Sequence, residues 1–352
     1  PGAGLLPLRG HSNVQGMGSM GVMPALKGPF AARLADELGL ELPTSVGLDT
    51  LACVERAAEG QMDLAISLGG NLYGANPDAR FAAQALQRVG MSVTLSTTLN
   101  TGHAWGAGAE AIILPVRARD EESQPTTQES MFSYVRLSDG GPARLAGPRG
   151  EVQVIADLAT RAWASHSPLD WSALADHRHI RQLIGRCVPG HGAMGRIDET
   201  GDEFQIEGRT FHTPRFATAS GKARMRPLWL PEDAELGPRQ LRLMTLRSEG
   251  QFNTVVYEEA DLYRGQLRRD VILMNPADIR RLGFEADDLV TVRSATGEMG
   301  GITLRPFDIA AGCAAMYFPE ANVLVSRRVD PRSRTPAYKE VLVTVSPAHV
   351  LS

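Results

Sequence analysis

From residue 50 onward the apolar positions alternate between two rhythms. Thr50 to Gly60 has helical spacing with a closing glycine, and Met62 to Leu68 is a short apolar run of strand length. Ala79 to Val89, capped by Gly90, repeats the helical pattern. Met91 to Leu95 and Gly108 to Val116, the latter stopped by Pro115, repeat the strand pattern. Strand, helix, strand predicts a Rossmann-like, doubly wound α/β region over residues 1–125. Both early strands run into turn-rich polar loops, Gly69-Gly70-Asn71 and Ser96 to His103. Ligands of such sheets bind beyond the carboxyl ends of the strands.

Residues 126–235 predict a connector, partly helical. Gln124 to Ser130 reads as a loop and Met131 to Leu137 as a strand, with Asp139 to Pro142 a turn. Glu151 to Ala164 places Val152, Ile155, Leu158, Ala159 and Ala162 at helical spacing, and Trp171 to Ile184 is a second helical stretch. His177 and His179 stand two apart there, so they point away from each other and suit a helix surface better than a metal. Pro189 to Gly208 reads as a polar, Gly-rich link.

Residues 236–352 change rhythm again, to short strands between tight turns. Leu241–Leu246, Val271–Met274, Leu289–Arg293, Gly301–Arg305, Ala314–Phe318 and Val341–Val345 are strand candidates. Pro276 opens one brief helix and Gly283 closes it, each where its backbone preference is free of cost. The pattern predicts a small closed β-barrel. Between its last two strands an irregular loop gathers Asn322, Asp330, Arg332, Ser333, Arg334, Thr335, Tyr338 and Lys339. Cations, amide and hydroxyl donors and an aromatic ring suit a phosphorylated heterocycle, and a solvated loop has the same composition.

Composition narrows the partners. At 352 residues the chain has room for two or three domains, and 43% hydrophobic with 22% charged residues is ordinary for a globular protein. A net charge of −4 gives no basic face on average, so no nucleic acid is expected. No run approaches the ~18 apolar residues of a membrane span, and no secretory signal is visible. The three cysteines, Cys53, Cys187 and Cys313, form no CxxC pair or iron–sulfur spacing. They read as core thiols or unpaired ones in a reducing, cytoplasmic compartment. The chain contains no GxSxG, HExxH, P-loop or EF-hand, so no catalytic residue and no metal ligand is assigned. Gly16-Met-Gly18-Ser-Met-Gly21 matches GxGxxG literally, which opens an alternative as a nicotinamide-dependent dehydrogenase. Its context is poor: the preceding segment is polar, Pro24 and Gly28-Pro29 interrupt any helix, and the one acid at the right distance, Glu41, adjoins Pro43. A Gly-rich loop that lets backbone approach a ligand fits better.

The motifs Asn275-Pro-x-Asp, Leu282-Gly, Asp287-Asp-Leu-Val-x-Val, Asn322-x-Leu and Asp330-Pro-x-Ser-x-Thr-Pro-x-Tyr338-Lys339 resemble the C-terminal dinucleotide-binding domain of molybdopterin oxidoreductases. Within that superfamily the chain is most similar to formate dehydrogenase catalytic subunits and their relatives of unknown substrate. Arg9-Gly-x-x-Asn13-Val-Gln15-Gly16 resembles a motif those enzymes carry near the cofactor, with His11 in place of an uncharged polar residue. The resemblance implies a barrel of the double-psi type and a molybdopterin guanine dinucleotide cofactor, as a pair around molybdenum or tungsten. It implies that this chain is the second half of such a subunit. The first half would supply the metal's protein ligand and any 4Fe-4S cluster, and would be the chain's partner. A small-molecule substrate and an electron-transfer partner follow. Chain start Pro-Gly-Ala-Gly, without Met, agrees with a piece of a longer protein. Carried over residue by residue, the cofactor contacts would be Arg9, Asn13, Gln15, Gly16, Gly69, Gly70, Asn71, Thr98, Asn100, Thr101, Arg247, Gln251, Asn253, Asn322, Arg328, Tyr338 and Lys339. Arg9, Arg247, Arg328 and Lys339 would neutralise pyrophosphate, and the amides and hydroxyls would hold pterin and guanine. The chain departs from the family where Asn100-Thr101 replaces Glu-Thr, where Gln251 stands in a His position, and where Thr126-Thr127-Gln128-Glu129 lacks the usual Gly.

Overall fold

A computed structural model describes residues 13–163, 167–208, 216–229 and 235–348. Arg9 and the apolar run at residues 5–8 lie outside them. In chain order the first elements are α1 (Val14–Ser19), α2 (Gly28–Leu38), α3 (Thr50–Ala58), β1 (Leu64–Leu68), α4 (Leu72–Ala75), α5 (Ala79–Leu86), β2 (Met91–Ser96), α6 (Thr101–Trp105) and β3 (Glu110–Pro115). Then follow β4 (Thr126–Glu129), β5 (Tyr134–Ser138), α7 (Glu151–Trp163), α8 (His177–Cys187), α9 (Ile197–Thr200) and β6 (Phe204–Gln205). The last group is β7 (Gln240–Leu246), β8 (Val271–Met274), α10 (Pro276–Leu282), β9 (Leu289–Ser294), β10 (Glu298–Pro306), β11 (Cys313–Tyr317) and β12 (Val341–Pro347).

The described residues fall into two compact units, one drawn from Pro1–Asp49 and Pro115–Leu230, the other from Thr50–Leu114 and Pro231–Ser352. The strand–helix–strand region therefore groups with the barrel and not with residues 13–49, which differs from three consecutive segments. The reason is chain crossing, which periodicity does not encode.

In the second unit β1, β2 and β3 form a sheet in that order, with β1 and β2 parallel in the register Leu64↔Met91. Helices α3 and α5 bury Val54, Ala57, Ala82, Ala85 and Leu86 against the side of the sheet that carries Ala65. Leu64, Ile66 and Leu68 alternate with it and are exposed. Six strands close a barrel in the order β10-β8-β11-β7-β12-β9. Two of its pairs are parallel, β7 with β11 (Leu243↔Ala314) and β8 with β10 (Ile272↔Leu304), and the other four are antiparallel. This mixture is the expected double-psi arrangement. Leu241, Leu243, Ile272, Met274, Val290, Val292, Leu304, Met316 and Val343 fill the interior. Helix α10 starts as read: Asn275 accepts a hydrogen bond from the Ala277 N–H at 2.8 Å, Pro276 is the first helical residue, and Gly283 ends the helix at φ 79°. Strand β10 starts before Gly301, because Gly300-Gly301 is a bulge within the strand and not its edge.

The first unit corrects five readings. The Gly-rich stretch is not a loop: Gly16 and Gly18 sit inside α1, after Asn13 at φ 59°. Among the described residues the positions just before Gly16 are helical, from Val14, and the next helix opens only at Gly28, so no strand runs directly into Gly16 and no helix opens from Gly21 as the nicotinamide fingerprint requires. The loop at 126–129 is a strand, β4, paired antiparallel to β5, which begins at Tyr134. The second helix begins at His177, where Asp176 accepts from the Arg178 N–H, and not at Trp171. His177 is buried, its Nδ1 3.1 Å from the Pro125 carbonyl oxygen, and does not lie on a helix surface. The polar link 189–208 is also part of a core, because Met194, Ile197 and Ile206 pack on Val135. Three apolar residues spread over thirteen positions give no periodic signal, although each is fully buried.

Candidate functional site

The predicted contacts divide between the two units. Asn13, Gln15 and Gly16 belong to the first. Asn13 accepts a hydrogen bond from the Glu129 N–H at 3.0 Å, and a Cβ on Gly16 would meet the Asn13 side-chain oxygen at 2.1 Å. Gly16 is thus a glycine because Asn13 folds over it.

In the second unit the two strand-end loops meet. Gly69 and Gly70, at φ 65° and 74°, turn the chain out of β1 with open space where side chains would be. Asn71 follows, 5% exposed, and uses its whole amide: the oxygen accepts from the Gly74 N–H at 2.8 Å, and the nitrogen donates to Thr101 Oγ1 at 2.8 Å and to the Thr254 carbonyl at 3.2 Å. From the second loop, Asn100 caps α6 and donates to the Gly70 carbonyl at 3.2 Å. Thr98 is exposed at the tip, its carbonyl accepting from Ser96 Oγ at 2.7 Å.

Helix α4 carries this loop pair onto the barrel. Its Gly74 carbonyl accepts from Asn322 Nδ2 at 2.7 Å, and its Ala75 carbonyl accepts from Tyr338 Oη at 2.8 Å. Asn322 is fully buried: its Nδ2 joins the barrel to α4, while its Oδ1 has no hydrogen-bond partner among the described residues. Beside this junction a cavity of about 290 Å³ is lined by Ala75, Thr245, Arg247, Asn253, Phe318, Tyr338 and Lys339. Arg247 donates to Asn253 Oδ1 at 3.2 Å and lies 5.3 Å from the centre of the Phe318 ring. Tyr338 meets the same ring edge-on at 6.0 Å. Lys339 Nζ donates to the Thr245 carbonyl. Burial, and then the nearby Arg247 charge, push the Lys339 ammonium below its usual range. Burial lifts the Tyr338 phenol to about 12.

Two cations that disfavour each other, none of the seven lining residues being acidic, form a site short of one anion. A phosphate or pyrophosphate fits that donor set, and the aromatic rings beside it fit a planar heterocycle. Gln251 does not reach the cavity: its amide donates to the Asn253 and Phe318 carbonyls and accepts from the Ser248 N–H. Arg328 is exposed and does not line it either. Arg332, Ser333, Arg334 and Thr335 are exposed on a turn closed by Asp330, which accepts from the N–H groups of Arg332 and Ser333. Thr245, Thr254 and Phe318 were not anticipated. Phe318 looked like the last residue of a core strand, and its place just before Pro319 and Asn322 was the signal. Among the described residues, no three His, Cys, Asp or Glu side chains cluster to hold a metal, and no helix is long and apolar enough to cross a membrane. All three cysteines are free.

Residues 241–342 match the model of the molydopterin dinucleotide binding domain. An uncharacterised oxidoreductase of Mycobacterium tuberculosis is 36% identical over 376 residues, covering 99% of this chain and 47% of the relative. Protein YdeP of Escherichia coli K12 is 31% identical over 370 residues, and formate dehydrogenase H of the same organism 25% over 376, with 99% of this chain covered in both and 48% and 51% of those proteins. The chain thus spans about half the length of the curated relatives it matches. Acetylene hydratase from Pelobacter acetylenicus shares the fold, with a TM-score of 0.59 at 15% identity over 94% of this chain and 50% of that one. Residues 241–342 thus carry a molydopterin dinucleotide binding domain, and the chain as a whole is similar to about one half of proteins named as oxidoreductases and formate dehydrogenases, the half that holds that domain.

Proposed function

We propose that this chain is the cofactor-holding half of a formate dehydrogenase-like enzyme that oxidises or reduces a small substrate by two electrons. The observation that carries the reading is the acid-free cavity with Arg247 and Lys339 on its wall. Its cofactor would be molybdopterin guanine dinucleotide in the paired form, with molybdenum or tungsten. Bound there, the metal and pterin would supply the redox chemistry. The protein's contribution is binding and orientation. Arg247 and Lys339 neutralise a phosphate, while Asn253 and Tyr338 flank it. Gly69 and Gly70 leave backbone open to close approach, and Thr98, Asn100 and Thr101 place donors at the strand ends. Asn13, Gln15 and Gly16, with Arg9 and Arg328, complete the proposed contact set. The partner is the other half of the same subunit, which would bring any 4Fe-4S cluster, and an electron carrier takes the electrons. The site of action is the cytoplasm.

The test is elemental and pterin analysis of the full-length protein purified from a host that makes the cofactor. Molybdenum or tungsten with about two pterins per chain is the expected result, falling in Lys339→Ala and Asn322→Ala. Unchanged metal in both variants would remove these residues from the site. Neither metal nor pterin in the parent would favour a cofactor-free accessory protein of the same fold.

A further inference from the structure

Behind the cavity lies an arginine that no ligand-binding reading uses. Arg269 is 4% exposed, at the end of the long segment from β7 to β8. Its guanidinium is surrounded. Nε donates to Glu320 Oε1 at 2.7 Å and Nη2 to Glu320 Oε2 at 3.1 Å. Nη2 also donates to the Phe318 carbonyl at 2.7 Å, and Nη1 to Ser248 Oγ at 2.8 Å. Nη1 lies 3.4 Å from the Glu258 carbonyl and Nη2 3.4 Å from Gln251 Oε1. The rings of Tyr257 and Tyr317 stand 4.3 and 4.9 Å from its carbon centre. Burying a guanidinium is costly unless each donor is satisfied, and here every nitrogen has a partner.

Those partners are the frame of the cavity. Ser248 adjoins Arg247. Phe318 is the ring beneath Arg247 and beside Tyr338. Gln251 passes the restraint on, its Nε2 donating to the Asn253 carbonyl at 2.7 Å and to the Phe318 carbonyl at 2.8 Å. Asn253, held at φ 51°, then accepts from Arg247. One planar fork therefore ties three stretches, 247–254, 257–258 and 318–320, that are separate in sequence. A lysine has the charge but not the fork, so it could not hold Glu320, Phe318 and Ser248 together.

The geometry points to Arg269 as a positioning residue for the anion cavity, acting through Gln251 and Phe318 to hold Arg247 and Asn253 in binding posture. This rests on the anion-site reading proposed above. Its test is titration of the chain with inorganic pyrophosphate by calorimetry, in wild type, Arg269→Lys, Arg247→Ala and the double variant, with a thermal melt of each. Arg269→Lys should weaken pyrophosphate about tenfold while the chain still melts cooperatively. Because Arg269 acts through Arg247, the double variant should be no weaker than Arg247→Ala alone, whereas two independent effects would multiply. Gln251→Met, which cuts the link and leaves the buried charge paired, should reproduce the loss, and it decides the matter if Arg269→Lys does not fold. Wild-type affinity in Gln251→Met, or fully multiplied losses in the double variant, would overturn the positioning role. If Arg247→Ala binds pyrophosphate as well as wild type, or wild type does not bind it, the anion site itself is wrong and the positioning role falls with it.

Discussion

Tyr338 shows how one residue can serve both fold and site. Its hydroxyl donates to the Ala75 carbonyl while its ring walls the cavity. Burial raises its ionisation to about 12 from an ordinary 10.0. A raised folded pKa means that its contribution to stability is complete below pH 10 and is lost as pH climbs from 10 toward 12. Tyr338→Phe should therefore cost about 1 kcal/mol near pH 8, the worth of one buried hydrogen bond, and flatten the fall in stability above pH 10. Urea unfolding at pH 8, 10 and 11 reads both; an alkaline slope equal to wild type would show that Tyr338 does not carry the effect. Lys339 works in the opposite sense. Its lowered pKa favours the neutral amine, so its share of stability is present at high pH and is lost as pH falls through the lowered value. At neutral pH the folded chain thus holds a charge it would rather release, and an arriving anion relieves it.

At the scale of elements, the parts that could be read from sequence are those whose signals are local. Pro276 and Gly283 bracket α10, apolar alternation marks the barrel strands, and both strand-end loops are dense in turn residues; all of these stand where expected. What could not be read depends on who packs against whom. Nothing in residues 189–208 announces that Met194, Ile197 and Ile206 are core, and nothing near Asn71 shows that its amide reaches Thr254, 183 positions on. The same holds for the candidate site. Arg247, Asn253, Tyr338 and Lys339 do share a cavity, whereas the amide nitrogens of Gln251 and Asn322 bond backbone carbonyls, and an amide that holds loops together looks, in sequence, like an amide that holds a ligand. The short helix α4 gives a test. Asn71→Ala removes the hydrogen bond that caps this four-residue helix and orphans Thr254, for a loss of about 2 kcal/mol. Asn71→Asp keeps the cap but sets a carboxylate against the Thr254 carbonyl, so it should be no more stable than the alanine variant. A melt in which the aspartate variant matches wild type would contradict the described amide orientation.

On the scale of the whole molecule, charge is where average and local pictures part. The chain carries −4 overall, and that sum gives no reason to expect nucleic acid as a partner. A sum says nothing about a cavity whose wall holds two cations and no acid. At physiological ionic strength exposed charges more than about 8 Å away are largely screened, so a sum over the whole chain weighs little on one pair. The local pair should dominate, but not without limit, because Arg247 and Lys339 are both partly open to solvent. Two consequences follow for pyrophosphate binding to the isolated chain. Raising salt from low to physiological strength should weaken it several-fold, since exposed charges are screened where buried ones are not. Lys339→Met should weaken it about tenfold at low salt, where that charge matters most, while changing stability by no more than about 0.5 kcal/mol, because the ammonium it removes was already disfavoured. Calorimetric titrations of both proteins at two salt concentrations measure all of this. Affinity that ignores salt in wild type, or a methionine variant that binds as tightly as wild type, would mean that the cavity selects its ligand by shape and that its two cations serve the fold alone.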